Sequence, residues 1–395
     1  MRINETLIKK LIIALLAALG MVSVLQGCKN AITYSQDFQW DAAKVMSLGM
    51  NPYDESLNPS DELKALGYEE YYKKLEANQF PSLLMLLFPY TLLPPLAARY
   101  AWLVSNLIFT ALIILLLRLT FMKDMERQDY VILCLLMLAG TPWRNHIGVG
   151  QHSVFSLMFF LLSVYVFERK DTKKASGLIP ATLCLCISYF KYSLTAPLAL
   201  YYVYKRRTDI PILAGLPHII LTWVAARMMG DSFVNMIKKP LEVASWLTCE
   251  GSMDISATLS RFGLLPSGAS MIITVVIMAA LAVYAFVMGR RNSLPGDDAV
   301  ITVLIMTSMV MIYHRAYDYF VMIIPFALVL KKETPFSLRI YYTVLTLYVF
   351  FVLRFFGEAD AALVPPALGT YIFLIIVTVR SFALPVKATE GKETR

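Results

Sequence analysis

The chain has 395 residues, of which 58% are hydrophobic and only 16% charged, with a net charge of +8. A soluble chain carries about a quarter charged residues, which excludes a soluble globular protein. The ~10-residue alternating segments of an outer-membrane barrel are absent too. The positive charge forms no nucleic-acid patch, because Lys and Arg sit in short clusters between apolar runs, as positive-inside loops do.

The composition therefore predicts an all-α polytopic membrane protein. Arg2, Lys9 and Lys10 precede the first apolar run, 11–28, which reads as an uncleaved signal-anchor span with its N-terminus inside. Residues 29–80 then form a first outer loop. The stretch 81–97 is apolar but broken by Pro81, Pro89, Pro94 and Pro95, and reads as a re-entrant or interfacial segment. A span at 99–120 returns to a basic inner loop. Spans at 130–144 and 151–167 flank an outer turn, "WRNHIGVGQ", and short spans at 175–188 and 193–204 flank "YFKY". These last two are short enough to be a hairpin that dips part-way. A span at 210–229 leads to a second large outer loop, 230–270. Five more spans follow, at 271–289, on either side of "YHRAYDYF", and at 340–357 and 366–384 in order. Residues 386–395 form a cytoplasmic tail. The expectation is one integral membrane domain over 1–385, with about 10–12 transmembrane helices and a majority of Lys and Arg inside.

Ionisable groups at membrane depth are expensive and mark functional sites by default. On this topology they collect on the outer face. Asp37 and Asp41 lie in the first outer loop, four residues apart and so on one face of a helix. Arg144, His146, Gln151 and His152 lie in the next turn, Lys191 in "YFKY", and His314, Arg315 and Asp318 in the late turn. Most tyrosines at span ends read as interfacial belt residues, and His218, mid-span beside Pro217, as a hydrogen-bonded packing residue. The five cysteines lack metal or redox spacing. No phosphate-binding glycine loop and no metal-ligand pattern is present, so neither cofactor nor metal is expected.

A cationic set near carboxylates suits a phosphate-bearing substrate beside a centre that needs a base. Nucleotides are scarce outside the cytoplasm, so the activated donor must arrive through the bilayer. A polyprenyl-phosphate sugar fits: its phosphate meets Lys191, Arg315 and Arg144, and a carboxylate takes the proton of an acceptor hydroxyl. Asp37 and Asp41 are the candidate catalytic acids. Asn51, Tyr53, Gln151, His152, His314 and Asp318 are candidate substrate contacts.

The residues carry a resemblance. "DFQWDAAKVMSLGMNPYD" resembles the first outer loop of the glycosyltransferase family 87 membrane mannosyltransferases. "FPSLLMLLFPYTLLP", "GQHSVFSLMFFLLSV", "YFKYSLTAPLAL" and "YDYFVMIIPFAL" are similar to further elements of that family in the same order. Phe80-Pro81-Ser82 stands where the family has a double proline, and Tyr192 follows Lys191 where it has Pro. The resemblance implies a GT-C-like bundle with an essential acid at Asp37. It also implies a polyprenyl-phosphate sugar donor and a glycan or glycolipid acceptor at the outer face of the cytoplasmic membrane. The rival classes are a lipid-linked oligosaccharide flippase, which would show internal pseudo-symmetry, and a polysaccharide polymerase or ligase. The latter would place several arginines in the late outer loop, where Arg261 is the only one.

Overall fold

A computed structural model of the chain describes residues 5–65, 75–246, 252–264, 269–290, 296–311, 314–329, 334–356 and 360–383. Tyr313, the tail 386–395 and parts of 29–80 and 230–270 lie outside the described residues. The rest is helical, with no strand and one isolated antiparallel bridge between Ser252 and Arg315. That is what an apolar solvent demands, because each backbone N–H must find its partner within its own segment.

In chain order the helices begin with α1 (Glu5–Thr33), α2 (Trp40–Ser47), α3 (Pro52–Leu57), α4 (Asp61–Ala65), α5 (Pro81–Leu86) and α6 (Phe88–Thr91). The central bundle holds α7 (Pro95–Leu119), α8 (Arg127–Ala139), α9 (Thr141–Val149), α10 (Ser153–Arg169), α11 (Ala175–Ser188), α12 (Tyr192–Tyr204) and α13 (Asp209–Met228). Then come α14 (Phe233–Trp246), α15 (Ile255–Arg261), α16 (Ala269–Arg290), α17 (Gly296–Met311), α18 (Ile323–Val329), α19 (Phe336–Leu347) and α20 (Asp360–Ala383).

Among the described residues seven stretches are long and apolar enough to cross a bilayer, and the bent pair α9 and α10 would make an eighth. This is a polytopic all-α membrane protein. Fewer helices qualify by length than the 10–12 expected, because several expected spans are short hairpin arms. The stretch 175–204 is the clearest case. As one straight rod it would be about 45 Å long, yet Arg207 Nη2 donates to Thr172 O at 3.0 Å across its two ends. The α11 and α12 arms therefore fold back on each other, with Tyr189–Lys191 as the tip.

The tip of that hairpin meets α13 near its middle. Cys186, near its tip, accepts a hydrogen bond through its carbonyl from His218 Nε2 at 2.9 Å, while Ser82 Oγ meets His218 Nδ1 at 2.9 Å. His218 lies about 15 Å below the Met228 end of α13, so the tip and the proline-broken segment are both sunk to that depth. His218 is the packing residue its position predicted.

Close approach of small residues sets the rest. A Cβ on Gly27 would sit 3.2 Å from Arg144 O, and one on Gly148 would sit 2.9 Å from the Asn30 Cβ. Small residues there let α1 lie directly along α9. At the other end of α1, Lys9 bridges Glu126 and Asp129 at 2.9 Å each. The first large loop, after α1, buries its own apolar cluster, Phe38, Trp40, Val45, Met46 and Tyr53, against Leu83, Trp102 and Phe190. It is tied to the second by Lys239, which bonds Asp54 at 2.7 Å and Asp231 at 2.5 Å.

Candidate active site

Asp37 sits where the chain leaves α1. Ser35 (φ 41°) and Gln39 (φ 62°) both adopt the left-handed region, so Gln36–Phe38 is a single 3-10 turn set off from the helices on either side. Such residues cost on the order of 1–3 kcal/mol each unless their surroundings hold them. Here they are held. Ser35 Oγ donates to Ala31 O at 2.6 Å and Gln39 Nε2 to Glu76 O at 3.0 Å. Phe38 stacks on Trp102 at 5.1 Å, and its carbonyl lies 3.1 Å from His152 Nε2.

The break at Gln39 changes one expectation. Asp37 and Asp41 do not share a helical face, because α2 begins only at Trp40. Asp41 lies in the field of Arg99, and burial pushes its carboxyl up to about 7 against that charge. Asp37 stands apart, in contact with the later helices.

Three turns converge on Asp37. The first joins α9 to α10. Gly150 (φ +73°) ends α9 with its Cα against Ser35 and Phe38, so a Cβ there would come within 3.0 Å of Ser35 Oγ. The next residue, Gln151, donates from Nε2 to Asp37 Oδ2 at 3.2 Å, and its Oε1 accepts from His152 N at 2.9 Å, which orients the amide. The second turn follows α17. Tyr317 donates to the same Asp37 oxygen at 2.9 Å. Both bonds fall on Oδ2, so Oδ1 has no hydrogen-bond partner among the described residues. Burial raises the Asp37 carboxyl above its ordinary value, against the Tyr317 bond and the charges of Lys191 and Arg315.

Asp318, on the same turn as Tyr317, is 1% exposed and densely bonded. It accepts from Ser153 Oγ at 2.5 Å and from His314 Nδ1 at 2.9 Å, and His146 Nδ1 lies 3.8 Å away. The tautomers follow from these contacts. His146 Nε2 accepts from Val154 N at 3.2 Å, which leaves its proton on Nδ1, facing Asp318. His314 gives its Nδ1 proton to Asp318, and its buried Nε2 has no partner among the described residues.

Lys191, at the tip of the α11–α12 hairpin, is the third contributor. Its backbone N–H donates to Ser156 Oγ at 2.8 Å, and its side chain is buried. Among the described residues it makes no ion pair, while its charge acts on both Asp37 and Asp318. A buried ammonium without a carboxylate partner is costly and is an anion-binding group in waiting. Arg315 reaches the same place from the α17 turn, where Ser252 pairs with its backbone.

Of the expected site residues, the fold brings together Asp37, Gln151, Lys191, His314, Arg315 and Asp318, with His152 packed behind Phe38. Arg144 is not in this group. It points the other way round α9, to Gln26 Oε1 at 3.0 Å. Asn51 and Tyr53 are also elsewhere. Asn51 caps α3 and donates to Asp231 at 3.2 Å, and Tyr53 donates to Gln79 O at 2.8 Å. Tyr317 reads from sequence as one more belt tyrosine, and Ser153 and Trp102 carry no signal of their own, yet all three are part of the site or its wall. Tyr317 was recoverable from its place one residue before Asp318 in "YDYF".

A helical membrane bundle whose turns gather a carboxylate, an aspartate–histidine pair and the cations Lys191 and Arg315 has the groups that a lipid-embedded transferase needs. The model of glycosyltransferase family 87 matches residues 81–313, more than half of the chain. The chain belongs to that family and is a membrane glycosyltransferase. Comparison with curated proteins and with solved structures gives no match. The matched range starts after Asp37 and ends just before His314, so the roles of those two residues rest on geometry.

Proposed function

We propose that this chain moves a sugar, mannose or a related hexose or pentose, from a polyprenyl-phosphate donor to a glycan or glycolipid acceptor. The reaction takes place at the outer face of the cytoplasmic membrane. The observation that carries the reading is the pairing, among the described residues, of a buried Lys191 ammonium without an ion pair and an Asp37 carboxylate whose Oδ1 accepts no hydrogen bond. One suits the donor phosphate, and the other suits the acceptor hydroxyl.

In the proposed step the acceptor oxygen forms a bond to the anomeric carbon while the bond from that carbon to the phosphate oxygen breaks. Asp37 Oδ1 takes the hydroxyl proton, as the carboxylate base of an inverting glycosidase does for water. The leaving polyprenyl phosphate gains negative charge, which Lys191 and Arg315 stabilise through charge-assisted contacts. A raised Asp37 carboxyl makes a stronger base than an ordinary one. His314, oriented by Asp318, offers Nε2 to a sugar hydroxyl. The depth of the α11–α12 tip supports a donor that keeps its tail in lipid. The outer-face assignment rests on the basic inner loops.

The test uses the purified chain in proteoliposomes with radiolabelled polyprenyl-phosphate mannose and a lipid extract as acceptor. Label should appear in a glycolipid or glycan. Transfer from nucleotide sugars and none from the lipid-linked donor would refute the reading.

A further inference from the structure

A recess lies at the opposite end of the bundle from Asp37. It opens where α7 and α10 end, about 24 Å along α10 from Ser153, and holds about 260 Å³. Its charged and tyrosine lining is Lys123, Asp124, Tyr165, Glu168, Arg169 and Tyr201. A structural role accounts for part of this set. Glu168 accepts from the Tyr201 hydroxyl at 2.8 Å and lies 3.4 Å from Lys205. The other charges are uncommitted: Lys123, Asp124 and Arg169 make no ion pair among the described residues, and Arg169 rests over the Tyr165 ring at 5.3 Å.

Two features say what such a recess takes. It sits at the end of membrane helices, where lipid headgroups lie and where basic pockets between helices capture them. Glu168 is already answered by Lys205, which leaves two cations and one carboxylate, Asp124, so a group carrying an ammonium beside its phosphate engages all three while a purely anionic one faces Asp124 unpaired. We infer that this recess binds the headgroup of a zwitterionic phospholipid, a phosphodiester joined to an ammonium. Lys123 and Arg169 take the phosphate, Asp124 takes the ammonium, and the two tyrosine rings form the walls. A headgroup held there anchors α7 and α10 from the face opposite the Asp37 site.

The experiment is native mass spectrometry of the full chain, purified in detergent and mixed with equal amounts of phosphatidylethanolamine and phosphatidylglycerol. Phosphatidylethanolamine should be retained about tenfold over phosphatidylglycerol, and the Lys123→Ala, Arg169→Ala double variant should lose about tenfold of that retention. Asp124→Lys is the control that does not depend on loss: it should turn the preference towards phosphatidylglycerol. Free glycerophosphoethanolamine, the soluble phosphodiester of the same headgroup, should compete only weakly in the millimolar range if the lipid is the natural source. Competition as strong as that of the lipid would assign the same chemistry to a soluble zwitterion. Equal retention of both lipids, unchanged by Asp124→Lys, would overturn the inference.

Discussion

Replacing Asp37 by Asn tests the proposed base with little disturbance to its frame. Tyr317 at 2.9 Å and Gln151 at 3.2 Å both donate to Oδ2. An asparagine that keeps its carbonyl oxygen in that position retains both bonds, and its amide nitrogen replaces only the unoccupied Oδ1. The loss on the stability side is the change from charge-assisted to neutral hydrogen bonds, about 1 kcal/mol in all. On the rate side the variant has no group at Oδ1 to take a proton. General-base catalysis contributes about 10²–10⁴-fold, so turnover should fall by at least about a hundredfold at unchanged donor affinity. The assay is label transfer from the polyprenyl-phosphate sugar, with thermal unfolding in the same detergent as the folding control. Turnover within about threefold of wild type, against the loss expected from removing a general base, would refute the assignment and make His314 Nε2 the next candidate base.

Lys191→Ala should raise the KM for the lipid-linked donor or lower turnover about tenfold or more, and Arg315→Ala should act in the same direction; unchanged kinetics for both would make them interfacial anchors. Asp41, pushed up to about 7 by burial, keeps its proton in the folded state between about pH 4 and 7 while the unfolded chain releases it. That stability is present below about pH 4 and is lost as pH rises to about 7, on the order of 1 kcal/mol per unit. The melting temperature of Asp41→Asn should therefore change less than that of wild type between pH 5 and pH 8, and parallel curves would remove Asp41 as the cause. Gly150→Ala forces a side chain into φ +73° and a Cβ to within 3.0 Å of Ser35 Oγ. It should cost about 1–2 kcal/mol and lower turnover further by displacing the Phe38 turn, a combination that unfolding curves and kinetics on one preparation will separate.

Much of this molecule is legible in its chain. An apolar solvent allows only helices or closed barrels, so apolar runs and basic loops were enough for the class, the order of the helices and the turns at which charge collects. The proline-broken segment at 81–97 and the packing role of His218 follow from local chemistry in the same way. The geometry of the site does not. Whether Asp37 and Asp41 share a face depends on Gln39, a non-glycine residue held left-handed by the Glu76 carbonyl and the aromatic packing around Phe38. Arg144 and His146 are neighbours on α9, yet one faces Gln26 and the other Asp318, because α1 covers one side of that helix and the α17 turn the other. Tyr317 resembles any interfacial tyrosine until a residue 280 positions earlier is brought against its hydroxyl. Periodicity and charge are local properties of the chain and survive in one dimension. Which face of a short helix meets which hairpin tip is a property of packing, and only the folded bundle decides it.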